Sequence, residues 1–265
     1  MPVRELDGID VGYREQGEGE PVLFLHSGPG SAADWKQVFQ RFPSGHRLVA
    51  LHAYGRGGTA DWPSGELQVE DIAKLARRLI TMAGPPVHLV GHSYGGAVAL
   101  RLAVTDPDSV RTLAVLEPQA YPLLRESDPE LYEETRTVAE QFRSALSERR
   151  LEDAWRGFID HYGASGSWDQ LPAQAQAGML AMSDAALRSW NALFTHPIEP
   201  ADLEDLRMPV LAIEGGRSTG PERRMCEIVA ERAPHGRLVV IEEAGHMLPL
   251  THPAEVVDAL IEHIS

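Results

Sequence analysis

The stretch Val87-His88-Leu89-Val90-Gly91-His92-Ser93-Tyr94-Gly95-Gly96-Ala97-Val98 decides the fold. It begins as a short apolar run, passes through Gly-x-Ser-x-Gly, and opens a helical stretch that continues to Thr105. A strand that turns sharply into a helix lifts the serine between them above the sheet in a strained backbone conformation. Gly91 and Gly95 are needed there because side chains would strike the neighbouring strand and helix. The N-terminus of the following helix carries partial positive charge, which favours an oxyanion beside Ser93. Glycine-rich strand-to-helix turns also bind phosphate, but the strand before this motif and the helix after it favour Ser93 as a nucleophile.

Outward from this turn, short apolar runs alternate with stretches of helical period, the pattern of parallel strands covered by crossover helices. Strands are expected at Val11–Arg14, Pro21–Leu25, Leu48–Leu51, Val87–Val90, Thr112–Leu116, Val210–Ile213 and Leu238–Ile241, those from Pro21 onward buried on both faces. Val69–Met82, Tyr94–Thr105 and Ala254–Ile264 are the covering helices. Between about Gln119 and Met208 no good strand occurs, while Asp128–Arg149 and Ala173–Phe194 look helical. Prolines at 118, 122 and 129 and at 197, 200 and 209 bracket that segment. The expected organisation is an α/β core domain, residues 1–118 and 209–265, with a helical cap, residues 119–208, inserted after the sixth strand.

The 265 residues suit one domain with an insert. Lys plus Arg number 24 against 39 Asp plus Glu, a formal charge of −15 with no basic block, which disfavours nucleic acid and anionic membrane as partners. One cysteine, Cys226, precludes an internal disulfide, and no Cys/His spacing suits a structural zinc. Met1–Asp10 carries Arg4, Glu5, Asp7 and Asp10 and has no apolar run long enough for a signal peptide or membrane span. A soluble, cytoplasmic protein acting on a small molecule is expected, with a homodimer left open.

The chain resembles the α/β-hydrolase family over most of its length outside the insert. Leu23-Phe24-Leu25-His26-Ser27-Gly28-Pro29-Gly30-Ser31 resembles the family's H-G-x-P oxyanion loop and is similar to that of epoxide hydrolases, with Ser27 in place of the usual Gly. The resemblance implies an oxyanion hole made of the Gly28 and Tyr94 N–H groups. His52-Ala53-Tyr54-Gly55-Arg56-Gly57-Gly58-Thr59 resembles the D-x-x-G-x-G-x-S loop, with His52 for Asp. Gly245-His246-Met247 falls where the family has its catalytic histidine. Imidazole suits both removal and return of a serine proton. The other ten histidines, His26 and His92 among them, read as loop, packing or surface residues.

The family commonly supplies its acid as Asp after the seventh strand, but here that loop reads Ile213-Glu214-Gly215-Gly216-Arg217-Ser218-Thr219, with Ser218 at the Asp position. A serine there can hold an imidazole tautomer but carries no charge to stabilise an imidazolium. One strand earlier, Leu113-Ala114-Val115-Leu116-Glu117-Pro118 ends an apolar strand with a carboxylate at the edge where open α/β sheets build their sites. Glu117 is the expected acid, with Glu214, Glu242, Glu243 or no acid at all as alternatives. A subgroup of the haloalkane dehalogenases is similar in carrying its acid as Glu after strand six.

A serine nucleophile cannot run the alkyl-ester chemistry of relatives that attack with Asp, because the resulting ether resists hydrolysis. The expected activity is therefore cofactor-free hydrolysis of a small carboxylic ester or related acyl compound through an acyl-enzyme, with a Ser93-His246-Glu117 triad and no metal. Hydrolysis of a C–C bond or perhydrolase chemistry is the alternative on the same fold, and a non-catalytic small-molecule receptor is the alternative of another class. Trp155, Phe158, Trp168, Met179, Met182, Trp190 and Phe194 of the insert, with Trp35 and Phe39, are candidates both for a substrate pocket and for plain core.

Overall fold

The computed structural model describes residues 2–163 and 165–265. Eight strands, β1 (Val3–Leu6), β2 (Ile9–Gln16), β3 (Gly19–Leu25), β4 (Gly45–Leu51), β5 (Val87–His92), β6 (Val110–Leu116), β7 (Val210–Gly215) and β8 (Gly236–Ile241), form one sheet. Their order is β1-β2-β4-β3-β5-β6-β7-β8. The β1·β2 and β2·β4 pairs are antiparallel and the remaining pairs are parallel.

Alternate side chains of each central strand enter opposite layers, as the period of two demands. Leu23, Leu25, Leu89, Leu113 and Val115 pack under the helices Val69–Ala83, Tyr94–Thr105 and Gly220–Arg232. Val22, Phe24, Val90, Ala114 and Leu116 pack under Lys36–Arg41 and Pro253–Ile264. Burying one Leu or Val fully contributes about 1.5–3 kcal/mol, and with Cys226 as a free, buried thiol these two layers hold the core without a disulfide. Helix Val69–Ala83 illustrates the local logic. Val69, Ile72, Leu75, Ala76 and Leu79 make its buried stripe, the Asp71 carboxylate accepts the Gln68 N–H at 3.0 Å, and Gly84 at φ 93° ends it.

Three features depart from the sequence reading. Strand β8 is not buried on both faces: it is the last strand of the sheet, mostly half-buried, with Val240 exposed. Strand β1 is additional, an antiparallel edge with largely exposed residues and hence no hydrophobic signature. The stretch Ala173–Phe194 is not one helix but three, Ala173–Ala181, Ser183–Ser189 and Ala192–Thr195. At the first break the Met182 N–H bonds the Met179 carbonyl at 3.0 Å, and the Ser183 hydroxyl turns back onto the Leu180 carbonyl at 2.8 Å.

Residues 119–208 contain no strand among those described and carry their own aromatic cluster. The Phe142 ring centre lies 5.1 Å from that of Trp155, 5.1 Å from that of Phe158 and 4.7 Å from that of Trp190. No helix among the described residues is long and apolar enough to cross a membrane.

Candidate active site

Register brings the carboxyl ends of β5, β6, β7 and β8 into line: His92 pairs with Leu116, Leu116 with Ile213, and Gly215 with Ile241. Ser93 follows β5, Glu117 follows β6, and His246 lies in the loop after β8. Ser93 is held at φ 57°, ψ −120°, in the left-handed half of backbone space that L-residues avoid. Its N–H donates to the Leu116 carbonyl at 2.9 Å, and its carbonyl accepts from Gly96 at 2.9 Å and Gln119 at 3.1 Å. A Cβ at Gly91 would strike the Gly95 carbonyl and lie 2.8 Å from the Ala99 Cβ, while one at Gly95 would strike the Leu25 carbonyl.

His246 Nε2 and Ser93 Oγ are 3.0 Å apart, and His246 Nδ1 is 2.6 Å from Glu117 Oε2. Glu117 has no exposed surface and His246 is 4% exposed. The other carboxylate oxygen, Oε1, accepts from the Gly215 N–H and the Ser218 hydroxyl, each at 2.6 Å. Ser218, in the loop where the resemblance implies an acid, thus bonds Glu117.

Burial alone would push Glu117 up, but the bond and charge of His246, then the Ser218 and Gly215 donors, outweigh it and hold the carboxyl below its ordinary range. Burial would push His246 down, and the bond and charge of Glu117 outweigh it, so the imidazole sits above its ordinary value. The buried Glu222, bonded to the Thr219 hydroxyl at the start of helix Gly220–Arg232, is pushed up to about 7 by burial. Two aromatic rings flank His246. His92 packs at 5.1 Å and donates from Nε2 to the His246 carbonyl at 2.8 Å; Tyr162, from the insert, lies at 4.9 Å with its hydroxyl 2.9 Å from that of Tyr121. Burial lowers His92 to about 3, so it stays a neutral donor.

The other acids weighed from the sequence are elsewhere. Glu214 is buried and paired with Arg223 at 3.2 Å, Glu243 pairs with Arg217 at the surface, and Glu242 is exposed. Gly28 and Tyr94 face each other: a Cβ at Gly28 would sit 3.7 Å from the Tyr94 Cβ. The Tyr94 N–H opens helix Tyr94–Thr105, where no preceding turn supplies a carbonyl. His26 fixes the loop before Gly28, with Nδ1 2.6 Å from the Ser27 carbonyl and Nε2 accepting the Ala53 N–H at 3.1 Å. Burial keeps this histidine neutral, down at about 3.

Two cavities meet at this point. The larger, about 610 Å³, is lined by Ser93, His246, Arg56, Asp34 and, from the insert, Met179 and Tyr162. The smaller, about 60 Å³, is lined by Gly28, Tyr94, Gln119, Trp155, Trp190 and Leu193. Ser27, Pro29, Phe158 and Met182 border both. Of the aromatic candidates, Trp35 and Phe39 pack on Phe24 at 5.0 and 5.1 Å as plain core, Trp168 is buried in the insert's cluster, and Phe194 stacks on Tyr121 at 4.7 Å. The sequence reading missed Arg56, Trp62 and Gln119 as lining residues. Among the described residues no group of three or more His, Cys, Asp or Glu could hold a metal ion.

A model of the alpha/beta hydrolase family matches residues 22–259. The chain belongs to this family. The coarse activity that the membership carries is hydrolysis. The chain is 27% identical to the (E)-2-((N-methylformamido)methylene)succinate hydrolase of Acinetobacter baylyi, over 94% of this chain and 91% of that one. It is 24% identical to the pimeloyl-[acyl-carrier protein] methyl ester esterase of Aeromonas salmonicida, over 94% and 97%. An alpha/beta hydrolase from Sphaerobacter thermophilus superposes over all of both chains with a TM-score of 0.79 at 23% identity.

Proposed function

We propose that this hydrolase cleaves a small carboxylic ester or related acyl compound through an acyl-enzyme on Ser93. The observation that carries the reading is the continuous path from Ser93 Oγ through His246 to Glu117, at 3.0 and 2.6 Å. Ser93 Oγ attacks the acyl carbon as its proton passes to His246 Nε2. The Gly28 and Tyr94 N–H groups take the oxyanion, each such donor being worth about 10²–10³ in rate. Glu117 holds the Nδ1 proton in place and balances the imidazolium. Nε2 then returns its proton to the departing alkoxide. Water, giving its proton to Nε2, cleaves the acyl-enzyme, and that proton returns to Ser93 as the acid leaves.

Residues 119–208 act as a cap over a core of residues 1–118 and 209–265, supplying Tyr162, Phe158 and Met182 to the walls. The small apolar cavity beside Gly28 and Tyr94 suits a short acyl chain. The test is turnover of a panel of p-nitrophenyl esters, together with intact-mass labelling by a fluorophosphonate. Both are expected in the wild type and neither in Ser93→Ala; unchanged turnover by the variant overturns the reading, and an unlabelled, folded wild type points to the receptor alternative.

A further inference from the structure

Arg56 stands in the wall of the cavity that holds Ser93 and His246, and no carboxylate pairs with it among the described residues. Its Nη1 donates to the Pro29 carbonyl at 2.9 Å and its Nη2 to the Gly28 carbonyl at 3.3 Å, with the Met182 sulfur against Nη2. Its Nε is buried and has no partner. Carbonyl dipoles orient a guanidinium without neutralising it. Asp34, the acid in the same cavity, lies beyond ion-pair distance but close enough for its charge to favour the Arg56 cation; it accepts the Ser31 N–H at 3.2 Å and is pushed up to about 6 by burial. Burial brings Arg56 down to about 10, which leaves it a cation at neutral pH. A sheltered cation with no directly bonded carboxylate is a costly arrangement that a bound anion relieves.

The edge that carries the unpartnered Nε is the one suited to such an anion, and it is shut in, with the Met182 thioether against it. Nε and Nη2 lie on one side of the guanidinium, the fork that grips both oxygens of a carboxylate. A carboxylate reaches that edge when the Met182 thioether, an unbranched and adaptable group, swings aside. Ser27, a residue in the lining of both cavities, is 2% exposed, and its buried hydroxyl has no partner.

We propose that Arg56 binds a free carboxylate of the substrate, so that the molecule cleaved at Ser93 is an ester with a second, anionic end, of the size of a short dicarboxylic monoester. The inference rests on the serine-hydrolase reading above and names its substrate class. The experiment compares monoethyl succinate with ethyl butyrate, which differ by carboxylate against methyl. The wild type is expected to favour the anionic ester in kcat/KM by about ten- to a hundredfold, the range of a hydrogen-bonded charge. Arg56→Gln should abolish that ratio and Arg56→Lys should restore part of it. Because Arg56 also holds the Gly28 and Pro29 carbonyls, both rates fall in the variants, and it is the ratio that reads the contact. A wild-type ratio at or below one, or a ratio unmoved by Arg56→Gln, overturns the proposal. Calorimetric binding of monoethyl succinate to Ser93→Ala, with and without Arg56→Gln, reads the same contact without turnover: binding lost with Arg56→Gln supports the proposal even if the esterase assay fails, and binding absent from Ser93→Ala or indifferent to Arg56 overturns it.

Discussion

Ser93 and Phe158 line the same cavity and are held there by different means. Ser93 is fixed by main chain, at φ 57° with hydrogen bonds to Leu116, Gly96 and Gln119 and glycines where any Cβ would collide. Phe158 is fixed by other rings, 5.1 Å from Phe142, 5.8 Å from Trp155 and 5.3 Å from Trp190. Main-chain positioning leaves no freedom of residue choice, whereas packing accepts any set of side chains of suitable volume and shape. One wall thus suits chemistry that must not vary, and the other suits a pocket whose shape can.

Substitutions on the two walls should differ accordingly. Glu117→Gln keeps the shape of the first wall but removes its charge, and kcat should fall about 10⁴-fold. Its pH profile carries the sharper signature. Glu117 raises His246, so the acid limb of kcat/KM in the wild type is expected above pH 6.5, the ordinary histidine value, and should move to lower pH in the variant. A limb that stays put would separate Glu117 from His246.

Gly91→Ala drives a methyl onto the Gly95 carbonyl and should destabilise the fold by about 1–3 kcal/mol, read as a lower urea midpoint. Trp190→Leu, on the second wall, enlarges the small cavity. It should raise the preference for p-nitrophenyl hexanoate over acetate about tenfold, with stability lost but chemistry kept. Smallest is Gly157→Ala, in the exposed face of helix Leu151–Tyr162, where a Cβ meets nothing within 4 Å. It should stabilise the protein by about 0.5–1 kcal/mol. A loss there as large as that of Gly91→Ala would erase the distinction between the walls.

The same distinction explains what was legible in the sequence. The Gly91-x-Ser93-x-Gly95 turn and the run ending at Glu117 are readable because main-chain geometry dictates residue types at fixed spacing. Arg56, Trp62 and Gln119 leave no such trace, since which loop side chains reach a cavity depends on packing between segments far apart in the chain. Ala173–Phe194 misled for a related reason. Its composition suits helix throughout, and the break after Ala181 is decided by Ser183, whose buried hydroxyl also accepts from Trp155 Nε1 at 3.0 Å, a contact 28 residues back in the chain. His92 looked like mere packing, and its bond to the His246 carbonyl spans 154 residues.

The bond from Ser218 to Glu117 bears on how relatives of this protein are compared. A column-by-column comparison asks which residue occupies the seventh strand's loop, finds a hydroxyl, and scores the chain as an inactivated descendant. The imidazole has no access to column numbers; it responds to negative charge within reach of Nδ1, and two adjacent strand ends converge there. Sorting such sequences by what stands near Nδ1 in space, rather than by position in the chain, would group chains with a carboxylate at that nitrogen that linear order divides.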